Sequence, residues 1–445
     1  MSNTQREEAR QRRQAEKRRS HLNDPPPKKW NLRNIWVFGQ HLPVDWGVIL
    51  CTVFLTLMGS LMVLSASSYE MGVTGDGNAM STFITQVFSI ALGGVAFVLA
   101  ANLDYRFLNN RRIVMLLILV SFVMLLLVWL LPKVPAINSL KIGVWSPYLN
   151  NAYRWLRIGI KSASISIQPS EILKVAVILY LSYYITHNQK TMHLFWRNNF
   201  PALCVVGVNA LLVVLQPNLS TTSLIVFVTM FMLVAGGMRK RTLFLLMLAG
   251  VAGLVALAYI TPGRWERITT FMNPWAEGVY NDEGYQLVQS YYALGNGGWF
   301  GTGLGLSKQK HLFLPYAYSD FIYAIVGEEL GFVRGVGVLL VFLVLIWCGY
   351  RIAVNASDSF GCYLALGLTS ILALQVILNI FVVTGFMPTT GIPLPFFTAG
   401  GTTMTIFLGT MGLLVSVSRR PAAIKERVAP PRVQKLVDRL RGRER

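Results

Sequence analysis

Five clusters of polar residues interrupt an otherwise apolar chain, and each holds residue types that can handle a charged ligand. The first reads Tyr153-Arg154-Trp155-Leu156-Arg157-Ile158-Gly159 and leads into Gln168-Pro169-Ser170-Glu171. Arg154 and Arg157 together could grip a pyrophosphate, since guanidinium groups pair with phosphate oxygens in a fixed fork. Pro169 suits the first turn of a helix, and Glu171 suits its positive end. Lys174 falls one turn deeper in an apolar run. It is costly to bury unless paired, and Glu171, three residues earlier, is the available partner. The plainer reading of Trp155 and Arg157 is a belt of side chains anchored at a membrane interface.

The second cluster, Gln216-Pro217-Asn218-Leu219-Ser220-Thr221-Thr222, sits at the tip of a tight hairpin and is equally readable as an ordinary polar turn. The third spans residues 261–319. It carries Arg264-Trp265-Glu266-Arg267, Asn273-Pro274-Trp275-Ala276-Glu277, Asn281-Asp282-Glu283-Gly284-Tyr285-Gln286, a glycine-rich run over 295–305, and Ser307-Lys308-Gln309-Lys310. Carboxylates beside lysines and arginines suit general-base work at a sugar hydroxyl or a phosphate, and glycines let backbone approach a ligand. A solvated charged loop is the alternative.

The fourth cluster, Asp320 to Gly331, places Asp320, Glu328 and Glu329 at the start of or inside an apolar run. Carboxylates at such depth are functional candidates, while Gly327 and Gly331 offer a small-residue packing face. The fifth contains Pro393 and Pro395 within Pro388–Phe396, followed by Ala399-Gly400-Gly401-Thr402-Thr403. Such a run predicts a broken, re-entrant segment, which needs protein or a water-filled cavity around it.

These clusters need a scaffold, and composition identifies it. Of 445 residues, 53% are hydrophobic and only 13% charged, with mean hydropathy +0.50. Apolar runs of about 20 residues recur along the chain, the length needed to cross a bilayer. The expected fold is an all-α polytopic membrane protein with ten spans at 46–68, 83–102, 113–132, 167–187, 199–216, 219–237, 242–260, 320–349, 361–384 and 403–418. A large extracytoplasmic loop, 261–319, separates spans seven and eight. Residues 1–45 and 419–445 form basic tails around the membrane domain 46–418. A soluble enzyme, a disulfide-rich domain and an outer-membrane-type barrel are excluded, the last because barrel strands alternate in hydrophobicity.

The net charge is +20, and half of the 40 basic residues lie in the two tails. Excess Lys and Arg mark the cytoplasmic side, so both termini are expected in the cytoplasm. Anionic lipid then explains the charge better than nucleic acid, for which the tails hold no recognition module. Cys51, Cys204, Cys348 and Cys362 lie within apolar runs and form no metal-ligand pair. There is no P-loop, no GxGxxG and no HExxH pattern.

Taken together, AYRWLRIG, IQPSEILK, QPNLSTT, GYQLVQS, GWFGTGLGLSKQK, SDFIYAIVGEELGF and MPTTGIPLPFFTAGGTT resemble the SEDS family (shape, elongation, division and sporulation) over residues 45–420. The order PTTGIPLPF and the long tails look closer to the FtsW and SpoVE branch. The resemblance implies a bacterial cytoplasmic-membrane enzyme that polymerises lipid II into glycan strands at the outer face, at the division septum. It implies a loop carboxylate as general base. Counting from Asn273-Pro274 gives Glu277, and counting back from Gly284-Tyr285-Gln286 gives Asp282. Substrate contacts are expected from Arg154, Trp155, Arg157, Gln168, Ser170, Glu171, Lys174, Gln286, Lys308, Lys310, Asp320, Glu328, Pro393 and Pro395. Undecaprenyl pyrophosphate would leave, with a divalent cation (Mg or Mn) sharing its charge. The implied partners are a class B penicillin-binding protein and other divisome membrane proteins. Three departures from the family pattern stand out: Asn218 and Ser220 where Asp and Gly are usual, Tyr318-Ser319-Asp320-Phe321 where the family usually reads HTDF, and, where the loop carboxylate is usually Asp, Glu277 or an Asp282 displaced by about two extra residues. A lipid II flippase and a non-catalytic scaffold for a transpeptidase are the alternative readings.

Overall fold

The computed structural model describes residues 44–73, 79–134, 142–149, 152–160, 163–260, 264–276, 284–315, 317–398 and 401–419. Its long helices follow the apolar runs. They are α1 (Trp46–Val73), α2 (Ala79–Asn102), α3 (Arg111–Leu130), α4 (Pro169–Asn188), α5 (Phe200–Leu215), α6 (Leu219–Gly236), α7 (Lys240–Ile260), α10 (Ile322–Val354), α11 (Ser359–Val383) and α12 (Gly401–Ser418). Among the described residues, eight helical segments are long and apolar enough to cross a membrane. The chain is a multi-pass membrane protein. The two expected spans outside those eight correspond to α4, which carries Glu171 and Lys174, and to α7.

Local chemistry sets the helix ends. Asn110, Asn218 and Asp358 cap α3, α6 and α11 through their side-chain oxygens, which accept from Arg112, Thr221 and Gly361 N–H groups at 2.9, 3.2 and 2.6 Å. Pro169 occupies the first turn of α4, as expected. Gly237, at φ +116°, ends α6 in the left-handed conformation.

The core lies between α1, α4, α10, α11 and α12, and α11 is buried along most of its length. Leu50, Leu57, Leu116, Phe244, Leu340 and Trp347 are instead exposed, as side chains facing hydrocarbon are. The helices α2 and α12 lie close, because Gly93 and Gly412 leave no side chain between them: Gly93 meets Leu408, and Gly412 meets the Phe97 carbonyl.

At one end of the bundle the start of α1 meets the end of α12, where Asp45 N–H donates to Ser418 Oγ at 3.3 Å. Arg351 pairs with Asp45 at 2.6 Å, Arg106 with Asp358 at 3.0 Å, and Arg419 donates to Asn102 at 2.7 Å. A cavity of about 360 Å³ lies there, lined by Asp45, Trp46, Arg351 and Ser418 among others.

The opposite end departs from an all-α fold. Residues expected to form a plain loop instead form β1 (Ile142–Trp145), β2 (Tyr148–Leu149), β3 (Ala152–Tyr153), β4 (Leu156–Ile160) and β5 (Ala163–Ile167). A three-stranded antiparallel sheet runs β1-β4-β5, and β2 pairs with β3. Alternation in Ser164-Ile165-Ser166-Ile167 and the β-branched residues of β4 favour strands here. The 261–319 segment is likewise not all loop. It contains α8 (Arg264–Met272) and α9 (Tyr285–Gly297).

Gly331 interrupts α10 at φ +77°. The freed backbone groups are taken up by the loop after α9: Phe332 N–H donates to Gly298 O at 2.9 Å, and Gly303 N–H to Glu329 O at 3.0 Å. A methyl at Gly331 would overlap the Gly301 backbone nitrogen. Gly331→Ala should therefore lose about 1–3 kcal/mol from backbone strain alone, with the clash added. Gly337→Ala, in open space on the same helix, should be near neutral. Unfolding midpoints in detergent compare the two.

Candidate active site at the sheet end

The segment Thr384–Thr398 has no regular structure and runs into the bundle. Leu394, Phe396 and Phe397 are fully buried. Phe396 and Phe397 lie 6.3 and 6.0 Å from the Phe342 ring, and the Phe396 carbonyl rests on Gly59 of α1. The prolines suit backbone without ladder partners; Pro395 is buried and Pro393 half-buried. The re-entrant shape matches expectation, and protein side chains surround its deep part, which is how irregular backbone survives at depth.

Hydrogen bonds lace this end of the bundle together, one of them reaching the segment itself. Arg154 Nη2 donates to Pro217 O at 2.7 Å, Ser220 Oγ donates to Thr390 O, and Thr402 Oγ1 donates to Ser166 O at 2.7 Å. Arg157 sits in β4 opposite Trp145 and Ser166. The Trp155 carbonyl accepts from Ser146 Oγ at 3.0 Å, so this residue is fixed between β3 and β4. Gln168 occupies the N-cap of α4 without a capping side-chain bond.

Below the sheet, Lys174 Nζ pairs with Glu171 Oε2 at 2.7 Å, with both side chains only 5% exposed. The ammonium also lies 5.6 Å from the centre of the Phe407 ring on α12. The spacing-based pairing is therefore present. Ser170, also buried, has no hydrogen-bond partner for its hydroxyl among the described residues.

Asp320 is held just before α10. Asn379, from inside α11, donates its Nδ2 to Asp320 O at 2.7 Å and to Ile392 O at 2.8 Å. One amide thus binds the start of α10 to the re-entrant segment. The Asp320 side chain comes close to Gly391, which stands at φ +69°. Burial pushes the Asp320 carboxyl up to about 6, opposed by a backbone hydrogen bond and by the charge of Arg267 on α8. A raised carboxyl binds more protons in the folded chain than in the unfolded one. Stability contributed at Asp320 should then fall as pH rises from 3.8 to about 6, and level off above. Asp320→Asn should flatten that slope in a pH series of unfolding midpoints.

Glu328 and Glu329 are fully buried. Glu328 accepts from Ser307 Oγ, from Lys308 N–H at 3.1 Å and from Gln309 N–H at 3.3 Å. Glu329 accepts from Ser65 Oγ at 2.7 Å and pairs with Lys310 Nζ at 3.1 Å. Lys310 also donates to Gly305 O at 2.6 Å. Lys310 is thus spent inside the protein, while the Lys308 side chain faces outward. Glu328 and Lys310 shape the loop that presents Lys308.

Gln286, on α9, donates to Pro315 O at 3.1 Å. Glu277 and Asp282 lie outside the described residues. The flanks of their segment are close together: Trp275 packs edge-on to Tyr292 at 5.8 Å.

Several residues around the site were not singled out from the sequence: Ser65, Asn379, Thr390 and Arg267 as a neighbour of Asp320. Asn379 had a signal, an amide within an otherwise apolar run. Ser65 had none, since a hydroxyl in a helix often bonds its own backbone.

Comparison with known proteins places this geometry. The family model described as cell cycle protein, FtsW/RodA/SpoVE, matches residues 45–422. Stage V sporulation protein E of Bacillus subtilis is 38% identical over 378 residues, covering 84% of this chain and 97% of that one. A probable peptidoglycan glycosyltransferase FtsW from Geobacter sp. strain M18 is 35% identical over 376 residues, covering 84% of this chain and 97% of that one. Two solved structures share the fold at 23% identity, each covering 85% of this chain and 98% of the other: a peptidoglycan synthase complex (TM-score 0.66) and RodA of Thermus thermophilus (TM-score 0.56). With the match running across the whole helical bundle and both FtsW and SpoVE among its relatives, the chain belongs to the FtsW/RodA/SpoVE family of SEDS proteins.

Proposed function

We propose that the chain is a peptidoglycan glycosyltransferase that polymerises lipid II at the outer face of the bacterial cytoplasmic membrane during division. On this reading α4 and α7 bring the spans to ten, with both termini cytoplasmic and the sheet end outside. The observation that carries the reading is the meeting of Arg154, Arg267 and Asp320 around the re-entrant segment at the sheet end, with Arg157 on the neighbouring strand β4. The relatives named probable peptidoglycan glycosyltransferases support the reaction class.

In the reaction, the 4-hydroxyl oxygen of the acceptor sugar forms a bond to the anomeric carbon of a second lipid-linked disaccharide. The bond from that carbon to the pyrophosphate oxygen breaks, and undecaprenyl pyrophosphate leaves with the electron pair. Glu277 or Asp282 takes the hydroxyl proton. Arg154 is aimed by its bond to Pro217 O, and Arg157 by its place in the sheet. Fixed cations of this kind stabilise charge as it develops on the leaving group.

Among the described residues, no three His, Cys, Asp or Glu side chains meet to hold a metal ion. A magnesium-type site needs fewer, because one or two carboxylates plus substrate phosphates suffice. Asp320 is the carboxylate proposed for that role. A bound cation there would neutralise pyrophosphate charge.

A class B penicillin-binding protein is the partner proposed to crosslink the product, a role consistent with the fold's likeness to a peptidoglycan synthase complex. The test is labelled lipid II with the purified chain and that partner in proteoliposomes. Glycan chains are expected. Lipid II crossing the bilayer without polymerisation would overturn the reading in favour of a flippase, and neither activity would leave a scaffold.

A further inference from the structure

The loop between α9 and the break in α10 carries no charge from Gly298 to Leu306 and turns its large side chains outward. Trp299 is 68% exposed, Phe300 71%, Leu304 55% and Leu306 65%. Four positive-φ glycines, Gly298, Gly301, Gly303 and Gly305, fold the loop so tightly that these side chains have little interior to enter.

The loop is not a free excursion. Phe332 N–H donates to Gly298 O at 2.9 Å, Val333 N–H to Trp299 O at 3.1 Å, and Arg334 Nη1 to Phe300 O at 3.3 Å. Trp299 meets Phe332 edge to face at 5.4 Å. Phe332 and Val333 begin the part of α10 beyond its break. From there to Val354 the helix has 23 of its 33 residues, about 34 Å of length and enough to cross the hydrocarbon alone. Phe332 and Val333 are exposed and continue downward into Leu340, Leu343 and Trp347, the hydrocarbon-facing side of that span. The backbone bonds hold Trp299 and Phe300 at the same level, so the loop's apolar surface is continuous with the lipid-facing surface of α10. Lys308, two residues beyond Leu306, faces outward at the rim.

We infer that the apolar side chains of residues 298–306 enter the leaflet at the sheet end, with the loop backbone at the level of the lipid headgroups, and anchor the loop that presents Lys308 at that height. The occupant of this surface is lipid. Tryptophan at such a level is the usual interfacial anchor, and a neutral, glycine-rich loop leaves no charge to desolvate. The consequence is positional: the buried links from Ser307, Lys308 and Gln309 to Glu328 join the anchor to the site. The reading goes beyond the proposed reaction and needs no activity to be tested.

The experiment uses nitroxide labels on the full chain in phosphatidylethanolamine–phosphatidylglycerol vesicles. Phe300→Cys, Leu304→Cys and Lys308→Cys are labelled singly, with Cys51 and Cys204 changed to Ser. Oxygen collisions should exceed those of a water-soluble nickel complex at 300 and 304, and the order should reverse at 308. Nickel dominating at 300 and 304 would overturn the anchor. So would labels that are water-accessible in the chain alone and shielded only when the transpeptidase is added, which would make the surface a protein interface.

Discussion

Replacing the loop carboxylate proposed as the base should lower glycan-chain formation by about 10²- to 10⁴-fold, the usual contribution of a positioned general base. Glu277→Ala and Asp282→Ala are the variants to compare, because the two residues lie at different distances from the ends of their segment. Trp275 packs edge-on to Tyr292 at 5.8 Å, so the two ends of the segment that carries them lie close together. One variant should lose chain formation and the other should keep most of it. Binding of lipid II should persist in both, since removing a base acts on the transition state more than on the ground state. Retained polymerisation when both residues are changed together would remove the base assignment. Chain length on a gel, beside lipid II retention on the reconstituted protein, separates these outcomes.

Lys310→Ala should destabilise the sheet end by about 3–5 kcal/mol, the cost of leaving one partner of a buried ion pair alone. Glu329 is fully buried, and without Lys310 the donors left to its carboxylate among the described residues are neutral: the Ser65 hydroxyl at 2.7 Å and the Ser307 N–H at 3.4 Å. The double variant Glu329→Gln with Lys310→Met should recover most of the loss. An amide still accepts from Ser65, Met matches the volume of the lysine stem, and no charge remains to desolvate. Unfolding midpoints of the single and double variants in the same detergent decide the matter. Equal losses would mean that packing, not the uncompensated charge, holds the loop. The prediction bears on function through geometry, because the same loop carries Lys308 outward.

These two predictions draw on different kinds of information. The expectation at Glu277 and Asp282 comes from motif order along the chain. The expectation at Lys310 could not have come from there. In the sequence, Lys308 and Lys310 are equivalent candidates for a pyrophosphate. In the fold, one faces out and the other is consumed by a carboxylate 19 residues away and a hydroxyl 245 residues away. The Glu171–Lys174 pair shows the opposite case: both residues lie on one helix, three apart, and helical geometry alone predicts their contact.

The amino-acid sequence by itself determined what the bilayer dictates. Apolar run length set the helices, and short-range chemistry set their ends, as at Asn218, Asp358 and Pro169. It also determined that a proline-rich segment would break rather than span, since Pro393 and Pro395 cannot complete a helix. Tertiary structure decided the rest. It turned residues 142–167 into strands, which compete with loop only when a partner strand is present. It set Asn379 across a gap of 59 residues to hold Asp320 beside Ile392, and it used Glu328 and Glu329 as internal fasteners. The physical reason is that a buried polar group takes whatever partner satisfies it, and such partners come from helices far apart in the chain.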